Sequence, residues 1–406
     1  MQSMSLPSRL WSALAVAFAF ACAQGVVGDR AAASQQAPAP EITREDIFIP
    51  HVSTVPANAG QRVGIFVRHV KRAGPGLTKG PVLFTNGGSI STLALLDLDY
   101  KTYSLAAALA SDGFDVYLMD HTGYGRSPRP MMDNPCNVDP SQQQLLIPNP
   151  LAAPCSPSYS HHLVTIFTEL PEIDSVVDYI RKQTGRNRIV LAGWSRATFR
   201  FGLYAGQHAD KVERLALVGP GYRRDAPSDF PASNMRTADQ SVRTMVPPWP
   251  FYVRNVDDPF TPWERQRQCD DIGDPGIHGA LSKSVRQYAD PDAATWGTPP
   301  GELYRIPVGS QVDAGWNRTS AKQLKVPTLL VVGEHDPRFA EEAPNLYADI
   351  SSTDKVLVKV QCATHFLLFE RNHTVVHNAF AEFLTRGTVN GRQGIFTVDR
   401  TGKYLP

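Results

Sequence analysis

The chain has almost no net charge: its 406 residues carry 40 basic and 39 acidic side chains, a balance of +1. Binding a phosphate backbone or an anionic bilayer draws on an excess of Lys and Arg, so neither nucleic acid nor a charged membrane surface is expected as a partner. Metal signatures are missing as well. The sequence has no H-E-x-x-H and no paired C-x-x-C spacing, the patterns that bring several ligands to one ion. Gly219-Pro220-Gly221 lacks the spacing of a dinucleotide-binding loop. No cofactor and no metal are expected. The apolar run from Leu10 to Ala21 is shorter than the ~20 residues a spanning helix needs, which argues against an integral membrane span. No internal repeat is visible, and cysteines number five.

What is present begins with that apolar run. Arg9 precedes it, and Ala21-Cys22-Ala23 offers an A-x-A cleavage site, so residues 1–23 are expected to be a signal peptide and the mature chain secreted or periplasmic. Cys22 stands where a bacterial lipoprotein carries its acylated cysteine, but Ala19-Phe20-Ala21 fits that signal poorly. Lipid anchoring is the minor alternative, as is an uncleaved N-terminal anchor. Residues 24–45, rich in Ala, Gln and Pro, are expected to be a flexible lead-in. Four cysteines remain after cleavage, which allows three pairings in an oxidising compartment. Cys136 and Cys155 share one Pro-rich insertion and form the preferred pair. The other would be Cys269 with Cys362, and two free buried thiols are the alternative.

Strand patterns recur at 61–70, 81–85, 114–120, 188–194, 213–218, 326–333 and 355–360, and helical patterns at 103–111, 162–182, 197–208 and 373–384 separate most of them. Unbroken apolar strands alternating with helices predict an α/β fold, a mostly parallel sheet covered on both faces. Two insertions break the rhythm. Pro128 to Ser160 holds eight prolines, and residues 222–324 hold four of the six tryptophans, Trp249, Trp263, Trp296 and Trp316. The expected organisation is a first core part over 46–221, with 128–160 inserted in it, a cap or lid over 222–324, and a second core part over 325–406.

The strand Arg188-Ile-Val-Leu-Ala runs into Gly193-Trp194-Ser195-Arg196-Ala197 and then into a helical pattern. A small residue, any residue, serine, any residue and a small residue in this setting describe a turn that lifts a serine hydroxyl above a sheet. The pentapeptide alone does not distinguish a nucleophile from an ordinary helix N-cap. The chain order adds to it. A carboxylate follows the strand ending at Gly333, and His365 follows the strand 355–360. Histidine can take and return a serine proton near neutral pH, and the carboxylate can orient it. Asp336 is preferred as the acid over Glu334 and the more distant Asp225. His365 is preferred as the base over His161, His162, His373 and His377. Upstream, Pro81-Val-Leu-Phe-Thr85 ends in Asn86-Gly87-Gly88-Ser89, and Phe114 to Met119 ends in Asp120-His-Thr-Gly123-Tyr-Gly125-Arg-Ser127.

These five motifs, in this order, resemble the α/β-hydrolase superfamily over roughly residues 55–385. Members often carry H-G-x at the first upstream place and D-x-R-G-x-G-x-S at the second. The resemblance implies an α/β-hydrolase fold with Ser195 as nucleophile, Asp336 as acid, His365 as base, and the backbone N–H groups of Gly88 and Arg196 as the oxyanion hole. Asn86, His121-Thr122 and Ala197 depart from the common pattern, so no subfamily follows. The Arg196 guanidinium is expected to pair with a protein acid rather than with substrate. Ser89, Trp194, Trp249, Phe251 and Tyr252 are the candidate pocket residues. The expected activity is a serine hydrolase acting on a small-molecule carboxylic ester with an apolar or aromatic portion. Aminopeptidase or C–C bond hydrolysis by the same triad, and a non-catalytic ligand-binding protein, are the alternatives. Oligomeric state is not legible.

Overall fold

Strand β1 (Ile42–Val52) pairs antiparallel with β2 (Arg62–Arg72) along their full length. The computed structural model describes residues 40–405 apart from 75–77, 86, 147–150, 227–248, 271–272, 296, 298–300 and 311–314. The expected signal peptide, Cys22 and Trp296 therefore lie outside the described residues. Beyond the first hairpin the chain continues through β3 (Gly80–Thr85), helices α1 (Thr92–Leu96) and α2 (Leu105–Ser111), β4 (Phe114–Met119), the short β5 (Val164–Thr165), α3 (Ile166–Thr184), β6 (Ile189–Trp194), α4 (Arg196–Gln207) and β7 (Val212–Val218). The inserted segment contributes β8 (Phe251–Asn255), α5 (Thr261–Gln266), α6 (Ile277–Tyr288), β9 (Leu303–Pro307), β10 (Gly309–Ser310) and α7 (Arg318–Ala321). The chain then returns to the sheet with β11 (Thr328–Gly333), α8 (Glu342–Asp349), β12 (Lys355–Val360), α9 (His373–Arg386), β13 (Gly394–Val398) and β14 (Tyr404–Leu405).

The main sheet has the order β1-β2-β4-β3-β6-β7-β11-β12-β13-β14. From β4 to β13 neighbouring strands are parallel, and the two edges are antiparallel. The central strands are buried on both faces, which is why they read as unbroken apolar runs. Alternation divides them between two cores. Val82, Phe84, Val190, Ala192, Val331 and Val358 pack toward α1, α2, α9 and the inserted α5 and α6. Leu83, Leu191, Leu330 and Leu357 pack toward α3, α4, α7 and α8. Each buried Val, Leu or Phe among them contributes roughly 1.5–3 kcal/mol.

The sheet departs from the sequence reading at its edges. β1 begins at Ile42, inside the stretch expected to be a flexible lead-in over 24–45. Most of its side chains are exposed, and Asp46 meets Arg68 while Arg44 meets Asp97. An edge strand held by its backbone ladder and by ion pairs carries little apolar pattern. β13 and β14 extend the opposite edge beyond the expected strands, with Phe396 and Val398 of β13 in the core. The inserted segment has structure of its own, and Phe260, Trp263, Ile277, Leu281 and Val285 join the core beside α1 and α9. Among the described residues, no helix is long and apolar enough to cross a membrane.

Candidate active site

The chain forms β3, crosses to β4 on one side, and then places β6 on the other side of β3. Such a reversal of strand order opens a crevice at the carboxyl ends of the strands, where α/β proteins bind ligands. The loop after β3 and the turn after β6 meet there. Gly87 permits the approach: a Cβ on it would stand 3.3 Å from the Trp194 ring.

Ser195 sits between β6 and α4 with φ 59° and ψ −125°, a backbone region that residues with side chains rarely adopt. Such strain costs of order 1–3 kcal/mol and persists where the surroundings enforce it. Here the Ser195 N–H donates to the Val218 carbonyl at 3.0 Å, and its carbonyl accepts from the Thr198 N–H at 2.9 Å and hydroxyl at 2.6 Å. Ser195 precedes α4, yet its side chain makes no cap hydrogen bond. Its Oγ lies 2.8 Å from Nε2 of His365, and Nδ1 of His365 lies 2.8 Å from Oδ2 of Asp336.

His365 comes from the loop after β12, and Asp336 from the loop after β11. Oδ1 of Asp336 accepts from the N–H groups of Arg338 and Phe339 at 3.0 and 3.1 Å, which leaves Oδ2 for the imidazole. The carboxylate is buried, while the imidazole keeps a small exposed area. Trp194 stacks on His365 with centroids 5.0 Å apart and donates its indole N–H to the His365 carbonyl at 2.8 Å. From the inserted segment, the Gln266 side-chain oxygen accepts from the His365 N–H at 3.0 Å. Gly219 has φ 52°, and a Cβ there would come within 3.0 Å of the imidazole and 3.3 Å of Asp336. Neither Gln266 nor Gly219 was evident from sequence. For Gly219, its place just after the apolar strand next to the elbow was the available signal.

Gly88 lies beside the elbow, where an added Cβ would be 3.8 Å from that of Arg196. The Tyr124 hydroxyl donates to the Gly88 carbonyl at 3.1 Å, fixing the orientation of this peptide. Arg196 opens α4, and the first N–H groups of a helix have no acceptor within it. The Arg196 guanidinium turns away to Glu169 at 3.1 Å, a carboxylate also held by Arg200 at 2.6 Å. Burial alone would push Glu169 up, but the two arginines outweigh it and hold the carboxyl down at about 2. The Asp120–Ser127 motif is structural. Asp120 accepts from the Thr92 N–H and the Ser91 hydroxyl, and Ser127 links the Asp120 carbonyl to β2. A Cβ at Gly125 would clash with the Asp120 carboxylate.

A cavity of about 390 Å³ opens at Ser195, within the range of roughly 300–1,000 Å³ common for ligand pockets. The expected residues Gly88, Ser89, Ser195 and Arg196 line it together with a second group, Phe199, Arg223, Arg338, Phe339 and Glu342. The second group was not foreseen, although Phe199 stands four residues beyond Ser195, on the same side of α4. Trp249, Phe251 and Tyr252 are not part of this lining. Phe251 is fully buried with Met132, Val138, Leu146 and Leu163 in a separate small core, because β8 alternates and this residue faces inward. Tyr252, on the opposite side of β8, is partly buried against the main core. Trp194 supports His365 from beside the elbow. His161 is exposed, and His373 and His377 are buried around α9, all apart from the cavity lining.

Cys136 is bonded to Cys155 and Cys269 to Cys362, with Cα separations of 5.2 and 5.8 Å. The second bond ties the inserted segment to the loop that carries His365. Among the described residues, no group of His, Cys, Asp and Glu could hold a metal ion.

A family model described as "alpha/beta hydrolase fold" matches residues 81–372. A search of curated proteins finds no match. Solved structures similar to this chain include a thermophilic esterase from Thermogutta terrifontis, at 17% identity, covering 85% of this chain and 99% of that one with a TM-score of 0.47. A putative lipase from Acinetobacter baumannii AYE is 14% identical, covers 85% and 92%, and has a TM-score of 0.48. A monoacylglycerol lipase from Paleococcus ferrophilus is 16% identical, covers 86% and 100%, and has a TM-score of 0.43. With the family model spanning most of the chain and the parallel sheet it describes in place, the protein belongs to the α/β-hydrolase fold family.

Proposed function

We propose that the protein is a serine hydrolase that cleaves a small-molecule carboxylic ester through an acyl-enzyme. The observation that carries this reading is the unbroken relay from Ser195 Oγ through His365 to the buried Asp336, with both hydrogen bonds at 2.8 Å. Ser195 Oγ attacks the ester carbonyl carbon as its proton passes to Nε2 of His365. Asp336 holds Nδ1–H and stabilises the imidazolium. The carbonyl oxygen becomes an oxyanion against the N–H groups of Arg196 and Gly88, where one such donor is worth about 3 kcal/mol. Collapse breaks the ester C–O bond, and the leaving oxygen takes the proton from Nε2. Water then attacks the acyl-enzyme, giving a proton to Nε2 and, through it, returning one to Ser195 as the carboxylic acid departs.

The edge-to-face pair Phe199 and Phe339, with centroids 6.2 Å apart, favours a substrate with an apolar or aromatic portion. The two disulfides favour an oxidising compartment, which accords with a secreted or periplasmic chain. An aminopeptidase would call for acidic side chains around the nucleophile to hold a free amine. Asp257, Asp258 and Asp270 lie outside the cavity lining, whose described residues include a single acid, Glu342, beside three arginines. The test is labelling by a fluorophosphonate, which traps activated serines, on wild type beside Ser195→Ala, followed by turnover of p-nitrophenyl esters. Labelling and turnover lost together in the variant support the reading. A folded wild type that neither labels nor turns over would sink it and favour a ligand-binding role.

A further inference from the structure

Among the described residues of 222–324, Arg223, at the start of the inserted segment, is the one that lines the cavity. Two others instead hold the loops that carry the chemistry. Tyr304 on β9 is 1% exposed, with its ring in the main core. Its hydroxyl donates to the Ser89 carbonyl at 3.2 Å, one residue beyond the Gly88 carbonyl that Tyr124 holds. Burial raises the Tyr304 phenol well above its ordinary value of 10, so it stays a donor at neutral pH and beyond. Gln266 ends α5, and its side-chain oxygen accepts from the His365 N–H at 3.0 Å. Trp263, one turn earlier, stacks on Phe366 with centroids 5.5 Å apart and donates to Glu370, which seats α5 against the loop of the base.

We propose that Tyr304 and Gln266 are positioning residues for the hydrolysis, through which the inserted segment sets the oxyanion loop and the base. This role rests on the serine-esterase reading above and adds a requirement to it: the site is complete only when the inserted segment is docked. A trans peptide is planar, so a held carbonyl also fixes the N–H of the next residue. With the Gly88 and Ser89 carbonyls both tied to buried tyrosines, two consecutive peptides of the loop are fixed, directly after the Gly88 N–H. Donors of an oxyanion hole are effective because they are in place before the charge develops. His365 has four polar groups. Its ring nitrogens serve Asp336 and Ser195, its carbonyl accepts from Trp194, and its N–H goes to Gln266. The first three partners belong to the sheet and its loops, and the fourth belongs to the inserted segment. Misplacing a reacting group by about 1 Å can cost about 10²-fold in rate, so a contact that sets the main chain of the base acts on kcat.

The test compares wild type with Tyr304→Phe, Gln266→Met and Gln266→Glu, at a temperature where denaturant unfolding shows all four folded. The readouts are kcat and KM for p-nitrophenyl butanoate and inhibition by an alkyl trifluoromethyl ketone. Such a ketone takes Ser195 Oγ onto its carbonyl carbon as the proton passes to His365, which leaves an oxyanion in the hole. Tyr304→Phe is expected to lower kcat about tenfold with KM unchanged and to weaken ketone inhibition by the same factor, since both depend on the placed donors. Gln266→Met keeps the side-chain length without the acceptor and is expected to lower kcat about tenfold, again at constant KM. Gln266→Glu, whose carboxylate accepts the same N–H, should restore most of that kcat at neutral pH. Wild-type kcat in Tyr304→Phe or Gln266→Met, with stability alone lowered, would overturn the role of that residue. A kcat loss in Tyr304→Phe without the matching ketone effect, or one in Gln266→Met that Gln266→Glu does not recover, would do the same. All these outcomes leave the esterase reading intact while wild type turns over the ester and labels with fluorophosphonate. A wild type that does neither would remove both.

Discussion

The indole N–H of Trp263 donates to Glu370 at 2.8 Å, and the same carboxylate accepts from the Thr364 N–H at 3.0 Å and from its hydroxyl. The inserted segment and the loop before His365 thus meet at one buried acid. Burial pushes Glu370 up to about 7 against an ordinary value of 4.5, despite the opposing pull of its three donors. The folded protein therefore keeps a proton that the unfolded chain releases. The stability contributed by neutral Glu370 is complete below pH 4.5 and is lost as pH rises through about 7. A separation of this size corresponds to about 3 kcal/mol. Glu370→Gln should therefore gain stability relative to wild type as pH is raised across this window, by up to that amount. Denaturant unfolding of both proteins at several pH values measures it, and a constant difference would refute the assignment.

Asp336→Asn is expected to lower kcat by about 10³–10⁴ with little change in KM. The amide oxygen can still accept from the Arg338 and Phe339 N–H groups, so the loop should keep its shape. The amide NH₂ would then face Nδ1 and favour the wrong imidazole tautomer. Glu334, the competing acid, accepts from the Cys362 N–H at 2.9 Å, and Glu334→Gln should leave kcat within a few-fold of wild type. Steady-state kinetics and the rate of fluorophosphonate labelling distinguish the two. The reverse pattern would move the acid role to Glu334.

The elbow was readable because it joins an apolar strand, a small residue and a helical pattern in one continuous stretch. The loops after β11 and β12 were readable because buried parallel strands announce their own ends. The cavity was not. Phe199 comes from α4, Arg338 and Phe339 from the loop after Asp336, and Arg223 from beyond β7, and these meet only when the sheet is assembled. The aromatic residues of the inserted segment misled for a related reason. Composition marks Phe251 as apolar, but the side of β8 on which it falls decides whether it meets a ligand or a core. Asp120 and Gly125 fitted a family motif without disclosing that they hold the loops behind the site.

Small residues on both flanks of Ser195 make a testable pair. A Cβ on Gly193 would fall 2.8 Å from that of Ala197 and 3.2 Å from the Phe201 ring, close enough to push α4 off the strand. Gly193→Ala should therefore destabilise the fold by about 1–3 kcal/mol, as overpacking does, and slow acylation by displacing Ser195. Ala197→Gly removes the nearer obstacle. The double variant should recover part of both losses, since contacting sites couple. Thermal unfolding and labelling rates over the four-member cycle read the coupling. Strict additivity would show that the two small residues do not share one constraint.

The two disulfides should differ in what their removal does. Cys269–Cys362 spans 93 residues and Cys136–Cys155 spans 19, so in the chain-entropy account the longer crosslink contributes about 1 kcal/mol more. Its location matters more than its length. Cys362 stands three residues before His365 in the chain, and Gln266, a short distance before Cys269, accepts from the His365 N–H. Removing both cysteines of this pair should thus weaken the hold of the inserted segment on the base, lowering kcat as well as stability. Removing both cysteines of the shorter pair should act on stability alone, because its Pro-rich segment packs into the small core with Phe251, apart from the cavity lining. Comparing kcat for the two double Cys→Ser variants, at a temperature where both remain folded, isolates this effect. Equal kcat values would show that backbone packing suffices to place His365 without the crosslink.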